Sequence, residues 1–360
     1  MTTATTSPSA DTSYVGFARP LWQRLLLTRE AGVIALLVAV VLYSRANVAN
    51  FDGPLTTTYL LLDTAPILLI ALPMTLVIIT GEIDLSVASV VGLSSVLLGV
   101  LIDHGWSVPM AIVAALLAGL VCGLVNGFLI GYVGLPSLAV TIGTLALYRG
   151  LAVGLLGTKA VTDFPEKWTD LAKDKIGDSS YPVIVIPIAV LAVLFAVVLH
   201  FSSFGRAVYD IGLNSEAAHF TGVNVERTKL VLFVLSGVVS AFAGVYYTLR
   251  FGSSRGDNAT GLELQVVAAV LLGGVSIFGG RGRLHGVIAG VLLIGVISSA
   301  LRLEDITVNV INIIIGLLLV ASVMSTSLLA RASDLAARRG RRSPAHPERT
   351  PAAGVGTQGR

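Results

Sequence analysis

The sequence predicts an all-α, polytopic integral membrane protein with about ten transmembrane helices. Of its 360 residues, 54% are hydrophobic and only 12% are charged, whereas soluble domains carry about 25% charged residues. A helix needs about 20 apolar residues to cross roughly 30 Å of hydrocarbon, and such runs recur between Ala31 and Leu329. The apolar run from Val108 to Ile130 lacks the alternation that a membrane β-strand requires. Helices therefore cross the bilayer.

The hydropathy pattern places ten spans between two polar tails. The predicted spans cover residues 25–44, 65–80, 85–102, 108–130, 138–156, 182–201, 230–250, 263–278, 286–301 and 308–328. They form one transmembrane domain over residues 25–329. The N-terminal tail (1–24) and the basic C-terminal tail (330–360) are predicted to be disordered because they hold few apolar residues to bury, and the basic tail can contact anionic lipid.

Positive charge orients the spans. An even number of spans puts both termini on one side, and most of the 24 Lys and Arg fall in cytoplasmic segments when that side is the cytoplasm. We therefore predict an N-in, C-in protein, with both termini on the cytoplasmic side. Two longer polar segments connect spans: an outside loop over residues 158–181 and a cytoplasmic loop over residues 202–229. The cytoplasmic loop is too long for a simple hairpin connection.

Patterns for nucleotide, metal or catalytic sites are missing. The sequence contains no phosphate-binding loop of the form GxxxxGK followed by Ser or Thr, and the glycine-rich stretch Gly279 to Gly286 misses GxGxxG by one residue. The five histidines are scattered, and the single cysteine, Cys122, lies inside an apolar run. We expect a protein that is not an enzyme, has no ATPase site of its own, and binds no metal, cofactor or nucleic acid.

The segment Thr80 to Ser86 interrupts two apolar runs and contains two carboxylates, Glu82 and Asp84. Asp84 can be the N-cap of a helix that starts at Leu85, with its side chain accepting a backbone N–H of the first turn. Alternatively, both carboxylates face a polyhydroxylated solute, as residues of interrupted spans do in transporters. The sequence leaves both interpretations open.

Arg149 lies in an apolar context, where an unpaired guanidinium is costly. It either snorkels to the outer boundary or pairs with Glu82 or Asp84. Other polar residues in the spans are weaker candidates for a solute path and are more typical of helix–helix hydrogen bonds. They are Asn126, Thr141, Thr144, Asn309 and Asn312.

The cytoplasmic loop contains a short predicted helix. Asn214 or Ser215 can cap its start, and Gly222 can close its end. Helices that lie on a membrane surface carry several Lys or Arg on their polar face, and this segment has none between Ser215 and Thr221. A docking element for another protein is therefore favoured over a connector that lies on the bilayer.

These segments resemble the permease subunits of the ribose, rhamnose and autoinducer-2 group of ATP-binding-cassette importers. Gly81 to Ala88 is similar to the family's GxIDLSVxS segment, and Gly134 to Arg149 to its P-x-x-x-x-T-x-G-T-x-x-x-x-R-G segment. Leu272 to Gly282 resembles a further family segment. Four residues match the EAAxxxG core of the loop that docks the ATPase, although the later I-x-L-P portion of that motif is not present: Glu216, Ala217, Ala218 and Gly222.

The resemblance covers residues 60–325 and implies a function. The chain would be the membrane-spanning subunit that imports a sugar, such as a pentose, a deoxyhexose like rhamnose or a related carbohydrate-like solute, energised by a separate ATPase. The run Leu72 to Ser89 is most similar to rhamnose-type permeases. Implied partners are cassette ATPase subunits, a second permease in a homodimer or heterodimer, and a periplasmic or lipid-anchored sugar-binding protein.

The alternative function is an ion-coupled secondary transporter of a small polar solute. That class of protein needs its own coupling-ion site, such as paired carboxylates at mid-membrane, and it needs no docking loop. Glu82 and Asp84 are the residues that could meet the first requirement. The chain has a predicted docking helix, which a secondary transporter does not need, and this helix argues against that class.

Overall fold

The described part of the chain is mainly helical, with two strands of two residues each, as predicted for an all-α membrane protein. The computed structural model describes residues 28–321 and residue 324. The tails predicted to be disordered, 1–24 and 330–360, lie outside these residues. The helices are α1 (Arg29–Asn47), α2 (Pro54–Ile79), α3 (Val87–Asp103), α4 (Val108–Gly131), α5 (Ser137–Leu156), α6 (Glu166–Leu171), α7 (Val185–Phe201), α8 (Ser203–Leu213), α9 (Ser215–Phe220), α10 (Val225–Phe251), α11 (Leu262–Leu272), α12 (Leu284–Leu303) and α13 (Val308–Ala321).

Six of the described helices, α1, α2, α4, α5, α10 and α12, are long and apolar enough to cross a membrane. A seventh span exists if α7 and α8, which meet at an angle of 69°, are taken together. Helices α3, α11 and α13 are apolar but shorter. Each predicted span coincides with one of these apolar helices, while the count of ten remains a prediction.

Three predicted spans have wrong boundaries; the smallest difference is in α10, which begins at Val225 rather than at residue 230. Helix α2 begins at Pro54, well before residue 65, because its polar first turns find partners: the Thr58 hydroxyl donates to the Ser180 carbonyl oxygen at 2.8 Å. Helix α11 ends at Leu272 rather than at residue 278. Gly274 follows with φ of +94°, a conformation that ends a helix and favours glycine.

Helix α2 lies at the centre of the bundle. In its most apolar 18-residue window, 94% of the residues are buried, compared with 6% for α1. Helix α10 packs against α2 and crosses α4 closely. A side chain at Gly119 would meet the Gly237 carbonyl oxygen at 2.5 Å, so the small residues let the two backbones approach, as at many membrane helix crossings.

The two ends of the bundle are named here by the predicted orientation. At the outer end, strand β1 (Ala160–Val161) pairs in antiparallel fashion with β2 (Ser254–Arg255) and joins two loops. At the inner end lie the break between α2 and α3 (80–86), the α8–α9 loop, and the glycine-rich loop between α11 and α12 (273–283).

Candidate translocation path and docking surface

Residues 80–86 form a fixed turn between α2 and α3. Gly81 adopts φ of +82°. Its N–H donates to the Ile78 carbonyl oxygen (2.9 Å), and the Glu82 N–H donates to the Val77 carbonyl oxygen (3.2 Å). This pair of bonds is the Schellman closure of a helix. Helix α2 therefore stops sharply, and the carboxylates that follow are held in defined positions.

Asp84 bridges the break to α10. The predicted helix start at Leu85 is wrong, because α3 begins at Val87 with Ser86 in the cap position. The Asp84 side chain does accept a backbone N–H near the helix start, as predicted. One Asp84 carboxyl oxygen accepts from the Ser86 N–H (3.0 Å) and the Ser86 hydroxyl (2.6 Å). The other accepts from the Ser236 hydroxyl of α10 (2.7 Å). Only 2% of Asp84 is exposed, so this carboxyl group depends on these hydroxyl partners.

Asn126 extends this arrangement to α4 and α5. Its side-chain amide donates to the Ser86 hydroxyl oxygen at 2.8 Å. The Tyr148 hydroxyl donates to the Cys122 carbonyl oxygen (3.1 Å) and lies 3.5 Å from the Asn126 side-chain oxygen. A buried chain of hydrogen bonds thus runs from α5 through α4 to the break.

Thr141 and Thr144 separate in the structure. The Thr141 hydroxyl donates to the Ile83 carbonyl oxygen at 3.2 Å, so Thr141 joins the break. The Thr144 hydroxyl donates to the Thr141 carbonyl oxygen of its own helix at 3.4 Å. Asn309 and Asn312 are exposed on α13. Of the weaker path candidates, the structure brings Asn126 and Thr141 to the break.

Glu82 pairs with Lys229 of α10. The Lys229 Nζ lies 2.5 Å from a Glu82 carboxylate oxygen, and both side chains are 17% exposed. The pair borders a cavity of about 670 Å³ that Glu216, His219 and Phe220 of α9 also line. The cavity therefore connects the break with α9, the predicted docking element of the cytoplasmic loop. Sequence reasoning missed Lys229 because no local signal links it to Glu82.

Helix α9 has both predicted ends. The Asn214 side chain accepts from the Ala217 N–H at 2.9 Å and so caps the start. At the other end, Gly222 has φ of +89°, its N–H donates to the His219 carbonyl oxygen (3.0 Å), and the Val223 N–H donates to the Ala218 carbonyl oxygen (3.1 Å). This is the same Schellman closure as at the end of α2. The prediction of a short capped helix is confirmed.

The predicted docking residues differ in exposure. Glu216 and Ala217 are exposed, whereas Ala218 is buried against Ile211 and Val225. Phe220 at the end of α9 is 88% exposed. Ala218 thus holds the helix in place, and its neighbours face outward.

The cytoplasmic segment that contains α8 and α9 contacts the end of α2 directly and also through the glycine-rich loop. The Gly280 N–H donates to the Ile79 carbonyl oxygen at 2.8 Å, and the Tyr209 hydroxyl donates to the Gly282 carbonyl oxygen at 2.7 Å. Gly212 of α8 lies so close to the Ile79 carbonyl oxygen that any added side chain would overlap it. The glycine-rich stretch thus serves this backbone contact.

Arg149 contacts main-chain oxygens. One guanidinium nitrogen donates to the carbonyl oxygens of Gly256 (2.9 Å) and Asn258 (2.7 Å), and another donates to that of Ala88 (3.2 Å). The prediction that Arg149 pairs with Glu82 or Asp84 is wrong. Two of its three acceptors lie in the loop at the outer end, the direction predicted for snorkelling, and snorkelling itself stays a prediction. The loop after α10 folds back over α5 and supplies the carbonyl groups, which residue types in the sequence do not reveal.

Asp63 forms a charge cluster that the sequence reasoning missed. One carboxylate oxygen pairs with Arg250 at the end of α10, and the other lies 2.8 Å from Nη1 of Arg302 at the end of α12. The Arg250 side chain is only 8% exposed. The available signal was one acidic and two basic residues, each at the outer end of an apolar helix.

Comparison with known proteins decides the family. Residues 56–323 match the family described as "Branched-chain amino acid transport system / permease component". The chain belongs to this permease family. The match spans all the described transmembrane helices except α1, so the break, the docking loop and Arg149 all lie in the shared part.

Curated relatives of this permease match most of its length. It is 35% identical over 315 residues to the autoinducer 2 import system permease protein LsrD of Klebsiella pneumoniae, covering 85% of this chain and 93% of the relative. It is 34% identical to LsrD of Yersinia enterocolitica, covering 83% and 92%. It is 35% identical to the permease protein LsrC of Escherichia coli O157:H7, covering 76% and 79%. No solved structure matches the chain.

These matches confirm the resemblance found in the sequence. The chain is a multi-pass permease of the bacterial inner membrane and a transport subunit rather than a catalytic enzyme. The relatives named above are autoinducer 2 permeases. The rhamnose-type subgroup therefore remains a prediction.

Proposed function

We propose that this permease imports a small sugar-like solute of the autoinducer 2 type and that a separate cassette ATPase drives it from the inner end. Two kinds of observation support the proposal. Relatives at 34–35% identity carry autoinducer 2 import in their names. The cytoplasmic loop presents the exposed helix α9, as a docking element for a partner would.

The main support for an ATPase partner is the exposure of apolar side chains at α9. Phe220 is 88% exposed and Leu213, just before α9, is 69% exposed. Large apolar side chains that stay exposed on a helix outside the bilayer mark an interaction surface. Because both ends of α9 are capped, the surface is rigid before a partner binds, which lowers the entropic cost of docking.

The solute path is placed beside the break within the same proposal. Glu82, Asp84, Asn126 and Thr141 gather at the inner end between α2, α4, α5 and α10. They offer carboxylate, amide and hydroxyl groups, which suit a polyhydroxylated solute. Arg149 and Thr144 lie outside this group, and Arg149 is assigned to holding the outer loop. A periplasmic or lipid-anchored sugar-binding protein and a second permease complete the proposed importer.

Uptake into proteoliposomes tests the function. The permease is reconstituted with its cassette ATPase, a second permease and a binding protein, and uptake of autoinducer 2 and of rhamnose is measured with ATP inside the vesicles. ATP-dependent uptake of autoinducer 2 is expected. Uptake driven by a proton or sodium gradient without ATP would instead establish the secondary transporter.

Charge reversal on α9 provides the matched comparison. Glu216→Lys should abolish ATP-driven uptake and ATPase co-purification because it alters the docking surface. Glu166→Lys makes the same change on exposed α6 at the outer end, and both properties should stay at the wild-type level. Equal behaviour of the two variants would remove the α8–α9 loop from the docking interface.

A further inference from the structure

A second cavity of about 670 Å³ lies at the inner end. Three helices supply residues where they meet the inner membrane boundary: Arg29 starts α1, His200 is in the last turn of α7, and Arg283 directly precedes α12. Arg281 also lines the cavity, and Glu30 is the acidic residue among its described lining. The cavity is thus strongly basic.

The charges of these arginines are not balanced within the described part of the chain. Among residues 28–321, neither Arg29, Arg281 nor Arg283 takes part in an ion pair. Arg250 and Arg302 at the outer end both do. A guanidinium presents a planar fork of donors that matches the oxygens of a phosphate. Three of them around one cavity favour a phosphate-bearing ligand.

The backbone that carries Arg281 and Arg283 is held in place. The Tyr209 hydroxyl donates to the carbonyl oxygen of Gly282, which lies between them, at 2.7 Å. The Ser276 N–H donates to the Arg281 carbonyl oxygen at 2.9 Å. The two arginines are therefore presented from a fixed loop before any ligand arrives, which reduces the entropic cost of binding.

The helices beside the cavity expose apolar surface toward lipid. Helix α1 is almost unburied, with 6% of its most apolar window covered. On α7, Val190, Val193 and Val197 are 62%, 63% and 49% exposed along the run that ends at His200. Helix α12 packs against both α1 and α7. Acyl chains can therefore lie along α1 and α7 while their headgroup reaches the arginines.

We propose that this cavity binds the phosphate headgroup of an anionic phospholipid from the inner leaflet. Basic pockets between membrane helices on the cytoplasmic side suit such headgroups. Arg29 and Arg283 lie at the starts of α1 and α12, and Arg281 lies in the loop before α12, directly above apolar lipid-facing surface. This position selects a lipid over a soluble phosphate. The bound lipid links the start of α1 to the glycine-rich loop.

Lipid retention by the purified full-length permease tests this site. The permease is placed in nanodiscs of phosphatidylethanolamine with a small fraction of phosphatidylglycerol, and the phosphatidylglycerol that stays bound after detergent extraction is counted by mass spectrometry. Each positive charge near an anionic surface contributes about 1 kcal/mol. The double variant Arg281→Gln with Arg283→Gln should therefore weaken the preference roughly thirty-fold.

Two further variants control for charge and folding. Arg227→Gln removes an exposed inner-end arginine that does not line the cavity, and retention should be unchanged. Arg281→Lys with Arg283→Lys keeps the charges and should keep most of the preference. A double glutamine variant that retains phosphatidylglycerol like the wild type would overturn the proposal.

Two further results would also overturn the proposal of a lipid site. Displacement of phosphatidylglycerol by millimolar inorganic phosphate or ATP would assign the cavity to a soluble phosphate. Loss of ATPase co-purification with unchanged lipid retention in the glutamine variant would assign it to protein docking. Resistance to both soluble phosphates, with lipid loss confined to the glutamine variant, supports the lipid site.

Discussion

The outer and inner ends of the bundle hold their charged side chains in different ways. At the outer end, Asp63 is paired with both Arg250 and Arg302, and Arg149 is bound by three carbonyl oxygens. At the inner end, the described partners of the Asp84 carboxyl group are hydroxyl and backbone N–H groups. Asp63 at the outer end is thus balanced by two arginines, whereas the buried Asp84 carboxyl group at the inner end is held by neutral donors.

The inner end also carries the surfaces that lack a covering element. Phe220 is 88% exposed and the Glu82–Lys229 pair borders an open cavity. The outer end instead ties its loops together through β1 and β2. The outer-end loops are thus tied to each other, whereas the inner end presents an open cavity and an exposed apolar side chain, as the proposed binding of a driving partner requires.

Side-specific labelling tests the assignment of the outer and inner ends and gives an all-or-none result. Cysteines introduced at Asp170 and Asn214, which are both exposed, should react with an impermeant maleimide from opposite faces, Asp170→Cys from outside. The native Cys122 is buried, so the unmodified chain gives little background. Labelling of both positions from one face would contradict the assignment of the two ends.

Removing one arginine at a time sharpens the account of the outer end. Arg250→Met should destabilise the permease by roughly 3 kcal/mol, as expected for breaking a buried pair while a second arginine remains. Arg302→Met should cost under about 1 kcal/mol, because the Arg302 side chain is 50% exposed against 8% for Arg250. Unfolding in detergent measures both. Equal losses would show that burial does not set the strength of this cluster.

Asp84 provides the corresponding test at the inner end. Asp84→Ala leaves the Ser86 and Ser236 hydroxyls without their acceptor and should cost about 1–3 kcal/mol. Asp84→Asn keeps one acceptor oxygen and should be intermediate in stability. Ser240→Ala is the control on α10, because no described group hydrogen-bonds to the buried Ser240 hydroxyl.

Transport then separates structure from function at Asp84. If Asp84→Asn folds but does not transport, the carboxylate acts in the solute path. If Asp84→Asn transports normally while Asp84→Ala is unstable, the residue serves the break alone and its place in the path is wrong.

Gly222→Val should affect the bundle least. A β-branched residue at φ of +89° is strained, but α9 lies outside the core, so bundle stability should change by less than about 1 kcal/mol. Co-purification of the ATPase should be lost. Gly157→Val places the same strain at φ of +66° in the outer end and should leave co-purification intact. Loss in both variants would attribute the effect to strain rather than to docking.

Local features were predictable from the sequence, and long-range partners were not. The caps of α9 follow from Asn214 and Gly222 within nine residues of chain, and the apolar runs locate the helices. In contrast, Asp84 accepts from Ser236, and Arg149 donates to Gly256 and Asn258, each more than 100 positions away. No pattern in one sequence specifies which helices become neighbours.

Residue type explains the remaining misses. Arg149 was expected either to snorkel or to find a carboxylate, but three carbonyl oxygens can satisfy a guanidinium as well as a carboxylate does, and every residue carries one. Asp63 was overlooked because α2 extends farther toward its N-terminus than hydropathy indicates. The half-buried Thr56 and the exposed Thr57 lower the hydropathy there although the helix is continuous.

The backbone contact between Gly212 and Ile79 has a mechanical consequence. Because no side chain lies between α8 and the end of α2, there is nothing compressible at this joint. The Gly280 N–H bond to the same Ile79 carbonyl oxygen resists separation as well. A displacement of α8 is therefore transmitted directly to α2, the most deeply buried of the described spanning helices. It is not lost in movements of the helices that face lipid.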